Sequence, residues 1–401
     1  MREERRMAHL QGQYDPRFEA VRELLAQNLE TGKELGASLY VNIDGEEVLD
    51  LWGGWCEREH IRPWQADTIV NVFSGTKTVA SLALLMMVDR GLLDVDAPVA
   101  HYWPEFAQNG KESVLVRHVM SHTAGLPAWE PPFSFEDAAD IRGSTDRLAA
   151  QAGWWEPGTR ASYHASSFGH LVSEIALRAS GVPLRDFIRT EIAEPLEADF
   201  ILGLGGDQFD RVATIYPADD PAPAPAPTVD ADRQPTVEEQ ISLRTRLGSF
   251  SGTLGDPLTV FNSEAWRRTD FAGSSGHANA RGLGRCLTAL ANDGWARGRR
   301  LLSPEAIALV FREQASGIDA YYARPIRWGI GYALAPQEKK ERGPLPFLRP
   351  GPRTCYWYGT GGSMGIVDAE RRITIAYAMN QCQSGRRSQN GVYYDAILDS
   401  L

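Results

Sequence analysis

The chain has 401 residues, a formal net charge of −11, 43% hydrophobic residues and 23% charged residues, a composition typical of a soluble protein with a large core. The acidic balance argues against a nucleic-acid or anionic-membrane partner, since both favour an excess of Lys and Arg. The charged opening MREERRMAHLQGQYDPRF lacks the apolar run of a secretory signal, and no stretch of about 18 apolar residues follows, so we expect a cytoplasmic protein with no membrane span.

The first elements are a helix and a β-hairpin. Asp15-Pro16 followed by apolar residues at helical spacing predicts a helix with an Asp cap, which Gly32 or Gly36 would end. The next stretch, ASLYVNIDGEEVLDLWGG, has the strand pattern on both sides of Asp44-Gly45, a turn pair typical of tight hairpins. The sequence therefore predicts two antiparallel strands directly after the first helix.

The middle of the chain is predicted to be mostly helical. The stretch from Gly75 to Asp89 is apolar nearly all round, which indicates a buried helix, and Ser166 to Leu177 has a clear helical pattern. Residues 217–239 include PAPAPAP in an acidic setting, so we expect a solvated, polyproline-like surface loop there.

Strands return near the end of the chain. GIVDAERRITIAYAMN predicts a second hairpin, and NGVYYDAILDSL predicts a closing helix. The fold class is therefore α/β (α+β): a central antiparallel sheet built from both termini, flanked by helices, with a mostly helical insertion. We expect the sheet domain to comprise residues 15–90 and about 285–401, and the insertion to comprise about 91–284.

One short motif suggests a nucleophile that the rest of the sequence does not support. Gly361 to Gly365 reads GGSMG, which matches the G-x-S-x-G elbow of α/β-hydrolases and would make Ser363 the nucleophile. That fold needs a histidine after the serine, whereas the last of the eight histidines is His277. We therefore interpret this stretch as a Gly-rich turn that leads into the terminal hairpin.

A second motif, S-x-x-K, fits catalysis better. Residues three apart share a helical face, so the Lys77 ammonium can reach the Ser74 hydroxyl at the start of the buried helix. The positive end of the helix dipole also favours a developing alkoxide there. The ordinary alternative is an exposed capping serine beside a solvent-reaching lysine, and the apolar run from Val79 to Val88 weighs against it.

Two later stretches strengthen this candidate site. PGTRASY places Tyr163 just before the helix predicted from Ser166, and WYGT, residues 357–360, precedes the terminal hairpin. In order and spacing, the three stretches resemble the signature of the serine β-lactamase and penicillin-binding-protein superfamily, and most closely class C β-lactamases and family VIII carboxylesterases. VRHVMSHTAGLPAW, WWEPGTRASYHASS and ANDGWARGRRLLSPEA resemble further segments of that family. The resemblance covers roughly residues 35–380.

The resemblance implies a role for each matching residue. Ser74 would be the acylated nucleophile, Lys77 its proton partner and Tyr163 a second general base or acid, while the backbone N–H groups of Ser74 and Thr360 would form the oxyanion hole. No metal or organic cofactor is required. Further residues are expected around the substrate pocket, although helix-start packing is an equal alternative for the histidine among them: Trp357, Tyr358, Gly359, Trp129, Trp155 and His164.

Two departures from class C β-lactamases indicate a different substrate. The Y-x-N of those enzymes is Tyr163-His164-Ala165 here, and the lysine of their K-T-G motif is replaced by Trp357. A β-lactam carboxylate would thus lack its cation, whereas an uncharged ester would meet an apolar wall. We expect a serine carboxylesterase for small neutral or short-acyl esters. The alternatives are an acyltransferase, an amidase, a D-aminopeptidase, a β-lactamase or a penicillin-binding sensor on the same scaffold.

Overall fold

A computed structural model of the chain describes residues 10–218, 234–250, 257–338, 343–383 and 388–401. Within these ranges the strands are β1 (Gln11–Tyr14), β2 (Gly36–Ile43), β3 (Glu46–Gly54), β4 (Val70–Asn71), β5 (Phe200–Ile201), β6 (His277–Ala278), β7 (Trp295–Ala296), β8 (Arg299–Arg300), β9 (Ala315–Asp319), β10 (Arg324–Trp328), β11 (Ala333–Leu334), β12 (Thr354–Tyr358), β13 (Met364–Asp368) and β14 (Ile373–Met379).

The α-helices of the same ranges are α1 (Glu19–Glu30), α2 (Thr76–Asp89), α3 (Val99–Tyr102), α4 (Val116–Met120), α5 (Phe135–Ala139), α6 (Ile141–Ala150), α7 (Ser167–Ser180), α8 (Leu184–Ile188), α9 (Val237–Leu247), α10 (Pro257–Phe261), α11 (Glu264–Arg268), α12 (Ala280–Ala291), α13 (Pro304–Val310) and α14 (Gln389–Asp399). None of these helices is long and apolar enough to cross a membrane.

The centre of the molecule is an antiparallel sheet in the strand order β1-β3-β2-β14-β13-β12-β11-β10-β9. Strands from the first part of the chain meet strands from the last part where β2 pairs with β14. Helix α12 packs on β2, β13 and β14, and α1 packs on β3 and α14. The predicted fold class, a sheet from both terminal regions with flanking helices, is confirmed. The boundaries of the helical insertion stay a prediction.

The two hairpins form where their sequences predict them. Asp44 and Gly45 both have positive φ angles, 53° and 87°, which a tight hairpin of this kind requires. The second hairpin pairs β13 with β14 from Asp368 opposite Ile373 onward. The edge strand β1, which pairs with β3, was not predicted because its sequence QGQY lacks apolar alternation.

Two sequence-based boundaries need correction. Asp15 does act as a cap, but it accepts the N–H of Arg17 and begins a single 3₁₀ turn, Pro16–Phe18, before α1. In the predicted 217–239 loop, residues 219–233 lie outside the described ranges. The last residues of that loop prediction are wrong, because α9 begins at Val237 behind a Thr cap that reaches the N–H of the third helical residue.

Helix α2 is the buried helix that the sequence predicts. Its residues from Thr76 to Met87 are all buried, including Lys77 with 2% of its surface exposed. It contacts α7, α8, α12 and α13, so it is enclosed by the helical region and by the helices on the sheet. A polar group at the N-terminus of α2 therefore lies in a site from which water is largely excluded.

Candidate active site

A strained turn presents Ser74 at the start of α2. Strand β4 pairs with β6, and the N–H of Val72 extends this pairing to the carbonyl of Gly276 at 2.9 Å. Phe73 then has a φ angle of 46°, a left-handed conformation that is unfavourable for a bulky residue and is often found at functional sites. Ser74 is partly exposed whereas both of its neighbours are buried, so the turn offers one hydroxyl to an incoming molecule.

Lys77 reaches Ser74 from one turn further along the helix. Its Nζ donates to the Ser74 hydroxyl at 3.3 Å, to the carbonyl of Gly273 at 2.6 Å and to that of Ala165 at 2.9 Å. No salt bridge involves this ammonium within the described ranges, and burial alone lowers the pKa of Lys77 to about 7. The lysine can therefore exist as the neutral amine near neutral pH.

Tyr163 completes a hydrogen-bonded triad. Its hydroxyl oxygen accepts the indole N–H of Trp357 at 3.0 Å, and a hydrogen bond with Ser74 also acts on the phenol. Burial raises the pKa of Tyr163 far more than these two bonds lower it, so the phenol keeps its proton. The Lys77 Nζ lies 4.9 Å from the ring centroid, and the ring stacks parallel to Trp328 at 6.1 Å.

The WYGT stretch approaches the Ser74 turn closely because it contains Gly359. A Cβ at this glycine would lie 2.2 Å from the carbonyl oxygen of Val72. The following residue, Thr360, borders the same cavity as Ser74. Ser74 and Thr360 lie in the first two positions of the 3₁₀ turns Phe73–Gly75 and Thr360–Gly362, where a backbone N–H has no partner within the turn, and neither N–H donates to another described backbone group outside it. Both are therefore free for a ligand oxygen.

Ser363, the serine of the GGSMG motif, is a buried structural residue. It is 0% exposed, and its hydroxyl donates to the carbonyl of Val72 at 2.9 Å. Its own carbonyl accepts the N–H of Gly359 at 2.7 Å. Ser363 thus ties the Gly-rich turn to the turn that carries Ser74 and does not border the cavity.

The cavity beside these residues has a volume of about 310 Å³ and a mostly aromatic wall. No Lys, Arg, Asp or Glu side chain is among its lining residues in the described ranges. The lining residues are Phe73, Ser74, Tyr163, Ala165, Ser166, Phe250, Phe261, Trp266, Ser274, Tyr321, Tyr322, Tyr358 and Thr360.

Several residues expected at the pocket lie elsewhere. Trp129 is in the core, where its indole N–H donates to the carbonyl of Ser144 at 2.9 Å. Trp155 is half-buried, and its ring centroid lies 6.5 Å from that of the fully buried His164. Trp357 lies behind Tyr163 as its hydrogen-bond donor. None of these side chains is among the described residues that border the cavity.

The buried histidines next to Tyr163 are packing groups. His122 Nδ1 accepts the backbone N–H of His164 at 3.2 Å, and His164 Nδ1 lies 2.7 Å from the carbonyl oxygen of Ser162. Burial lowers the pKa of His164 to about 4 and holds the pKa of His122 well below its usual value, with the Lys77 charge acting in the same direction. Both are therefore neutral at neutral pH.

Sequence reasoning missed most of the aromatic wall. Phe250, Phe261, Trp266, Tyr321 and Tyr322 come from loops and short helices that carry no recognisable motif. The adjacent pair of tyrosines in DAYYARP was the available signal, since the Pro that follows indicates a loop and binding residues often lie on loops.

Neither a larger cavity nor a metal site competes with this location. A more open groove of about 830 Å³ lies beside α8 and β5, and it contains none of the predicted catalytic residues. No cluster of three or more His, Cys, Asp or Glu residues suited to a metal ion occurs in the part of the chain that the structure describes.

The fold brings Ser74, Lys77 and Tyr163 together beside one cavity. Residues 21–399 match the β-lactamase family, and the chain belongs to that family. It is 34% identical over 380 residues to "Esterase/beta-lactamase LipL" of Mycobacterium tuberculosis, covering 93% of this chain and 83% of LipL. It is 27% identical to "Esterase EstB" of Burkholderia gladioli, over 90% of this chain and 89% of EstB.

Solved structures give the same family. A family VIII carboxylesterase superposes with a TM-score of 0.86 at 32% identity, covering 98% of this chain and 100% of that structure. The resemblance recognised in the sequence is confirmed, and this chain is a serine hydrolase of the β-lactamase fold.

Proposed function

We propose that the protein is a carboxylesterase that hydrolyses small neutral esters through an acyl-enzyme on Ser74. The observation that carries this proposal is the hydrogen-bonded group of Ser74, Lys77 and Tyr163 at the edge of a cavity whose described lining has no charged side chain. The esterase names of its relatives support the same reaction class.

Acylation begins with removal of the Ser74 proton. Neutral Lys77 accepts it along the 3.3 Å hydrogen bond as the serine oxygen attacks the ester carbonyl carbon. The two free N–H groups of Ser74 and Thr360 then stabilise the oxyanion, each by about 3 kcal/mol. No further cation is needed at this step.

Tyr163 acts as the general acid in this scheme. Since its pKa is raised by burial, it holds a proton that it can give to the leaving alkoxide as the C–O bond breaks. Protonated Lys77 then returns a proton to Tyr163, and the acyl-enzyme remains with both groups reset. Water attacks the acyl-enzyme with neutral Lys77 as base, and the departing Ser74 oxygen takes up a proton, which releases the acid and restores the Ser74 hydroxyl.

The cavity favours an uncharged acyl group. Its volume of about 310 Å³ is at the small end for ligand pockets, and rings from Phe250, Phe261 and Trp266 supply apolar surface. At the place where class C β-lactamases carry a cation, Trp357 offers an indole N–H, and that N–H is used by Tyr163. A substrate carboxylate would lose its water without gaining a cation.

Two serine variants test the proposal. Ser74→Ala is expected to abolish hydrolysis of p-nitrophenyl butyrate, because it removes the nucleophile, whereas Ser363→Ala should retain most of the activity. A fluorophosphonate should add one adduct to the wild type and to Ser363→Ala, and none to Ser74→Ala, as measured by intact-protein mass spectrometry. Equal activity in the two variants, or an adduct on Ser74→Ala, would contradict the assignment.

A further inference from the structure

Asp319 is a buried carboxylate with no cation beside it. Only 1% of its surface is exposed, and no salt bridge of the described residues includes it. Burial raises the pKa of Asp319 to about 6, even though several hydrogen bonds favour the ionised form. An unpaired carboxylate in such a place is costly for stability, so its partners indicate what the side chain does.

Most of the groups that donate hydrogen bonds to Asp319 belong to residues in the wall of the cavity. Asp319 Oδ1 accepts the backbone N–H of Tyr321 at 3.0 Å and that of Tyr322 at 3.1 Å, and both tyrosines line the cavity. Asp319 Oδ2 accepts the indole N–H of Trp328 at 3.2 Å. A hydrogen bond from the backbone of Tyr163 also favours the carboxylate.

The same carboxylate determines where Tyr163 lies. Trp328 is nearly parallel to the Tyr163 ring, with 4° between their planes, and thus forms one side of the slot that holds the phenol. The next residue after Asp319, Ala320, donates its N–H to the carbonyl of Ala161 at 3.1 Å, two positions before Tyr163. Asp319 therefore holds Trp328, which packs against the Tyr163 ring, and its own strand end holds the backbone just before Tyr163.

We propose that Asp319 is a positioning residue that holds the Tyr163 hydroxyl in place to protonate the leaving group. This role rests on the proposed esterase function and specifies one step of it. If the Tyr163 hydroxyl is displaced even slightly, it transfers its proton to the leaving group less efficiently. The rate of acylation then falls most for esters whose leaving group must be protonated.

The leaving group separates this role from a purely structural one. p-Nitrophenolate departs without a proton, whereas ethoxide must be protonated, and p-nitrophenyl butyrate and ethyl butyrate deliver the same acyl group. We expect Asp319→Asn to lower kcat/KM for ethyl butyrate at least about tenfold more than kcat/KM for p-nitrophenyl butyrate. Tyr163→Phe should show the same preference to a greater degree. Titration with a fluorophosphonate gives the concentration of functional active sites, and each rate is divided by that concentration.

Glu34→Gln is the matched control. Glu34 is also 1% exposed, accepts hydrogen bonds from the phenols of Tyr377 and Tyr393, and does not border the cavity. Its variant should leave the ratio of the two kcat/KM values unchanged. If Asp319→Asn does not fold, Trp328→Phe removes the same indole hydrogen bond while it keeps a ring, and should shift the ratio in the same direction.

The outcomes distinguish this inference from the proposed function. A wild-type protein that hydrolyses neither ester contradicts the esterase proposal and this role with it. A wild type active on both esters, with variants at Asp319 and Trp328 that slow both by one common factor, contradicts the positioning role alone.

Discussion

The pKa of Lys77 makes a quantitative prediction for the pH dependence of activity. Burial lowers this pKa from 10.5 to about 7, which corresponds to about 5 kcal/mol against the charged form. Only the neutral amine can take the proton of Ser74. We therefore expect kcat/KM to rise tenfold per pH unit below 7 and to level off above it, so that at pH 5 it is about a hundredfold below the plateau.

The assay is the initial rate of p-nitrophenyl butyrate hydrolysis in a pH-stat from pH 5 to 9. Lys77→Arg keeps a cation that does not lose its proton, so this variant should be inactive throughout the range. Two buried carboxyl groups also titrate within this pH range, Glu34 with a pKa of about 7 and Asp319 with a pKa of about 6. A flat profile, or a rise that disappears in Glu34→Gln or Asp319→Asn, would refute the assignment to Lys77.

Two more predictions concern stability and substrate. Burial raises the folded-state pKa of Glu34 from 4.5 to about 7, so the folded protein binds more protons than the unfolded chain in that window, and stability falls as pH rises through it. Between pH 5 and pH 8, the free energy of unfolding measured in urea should fall by about 2.5 kcal/mol more in the wild type than in Glu34→Gln. An equal pH dependence in both proteins would contradict this. Nitrocefin carries a carboxylate that the described lining cannot pair, so its kcat/KM should be ~100-fold or more below that of p-nitrophenyl butyrate; comparable values would show that lactams fit.

Local sequence signals predicted the elements that carry the chemistry. Asp44-Gly45 fixes a hairpin through its own backbone preference, and the spacing of Ser74 and Lys77 fixes their contact through helix geometry. These features need only neighbouring residues, so one sequence is sufficient for them. Tyr163 could be assigned only with the family resemblance as well. The contact that brings its segment next to Lys77 is made by Ala165, which lies 88 positions further along the chain.

The wall of the cavity depends on contacts that no short stretch encodes. Trp357 and Tyr358 were both predicted to border the substrate, yet adjacent strand residues point to opposite faces of a sheet. Tyr358 lines the cavity, and Trp357 lies on the other side, against Tyr163. This alternation could have been predicted from the sequence. The hydrogen bond between Asp319 and Trp328, in contrast, depends on the pairing of β9 with β10.

The pairing of β2 with β14 bears on how the protein folds during its synthesis. Asn28 in α1 donates to the hydroxyl of Tyr393, 365 positions later, and the interior strand β2 pairs with β14, which the ribosome makes near the end. Until that strand emerges, the β2 edge of the first hairpin carries unpaired backbone groups, whereas its β3 edge can already pair with β1. One edge of β2 therefore stays without its partner strand for most of the time that the chain is being made.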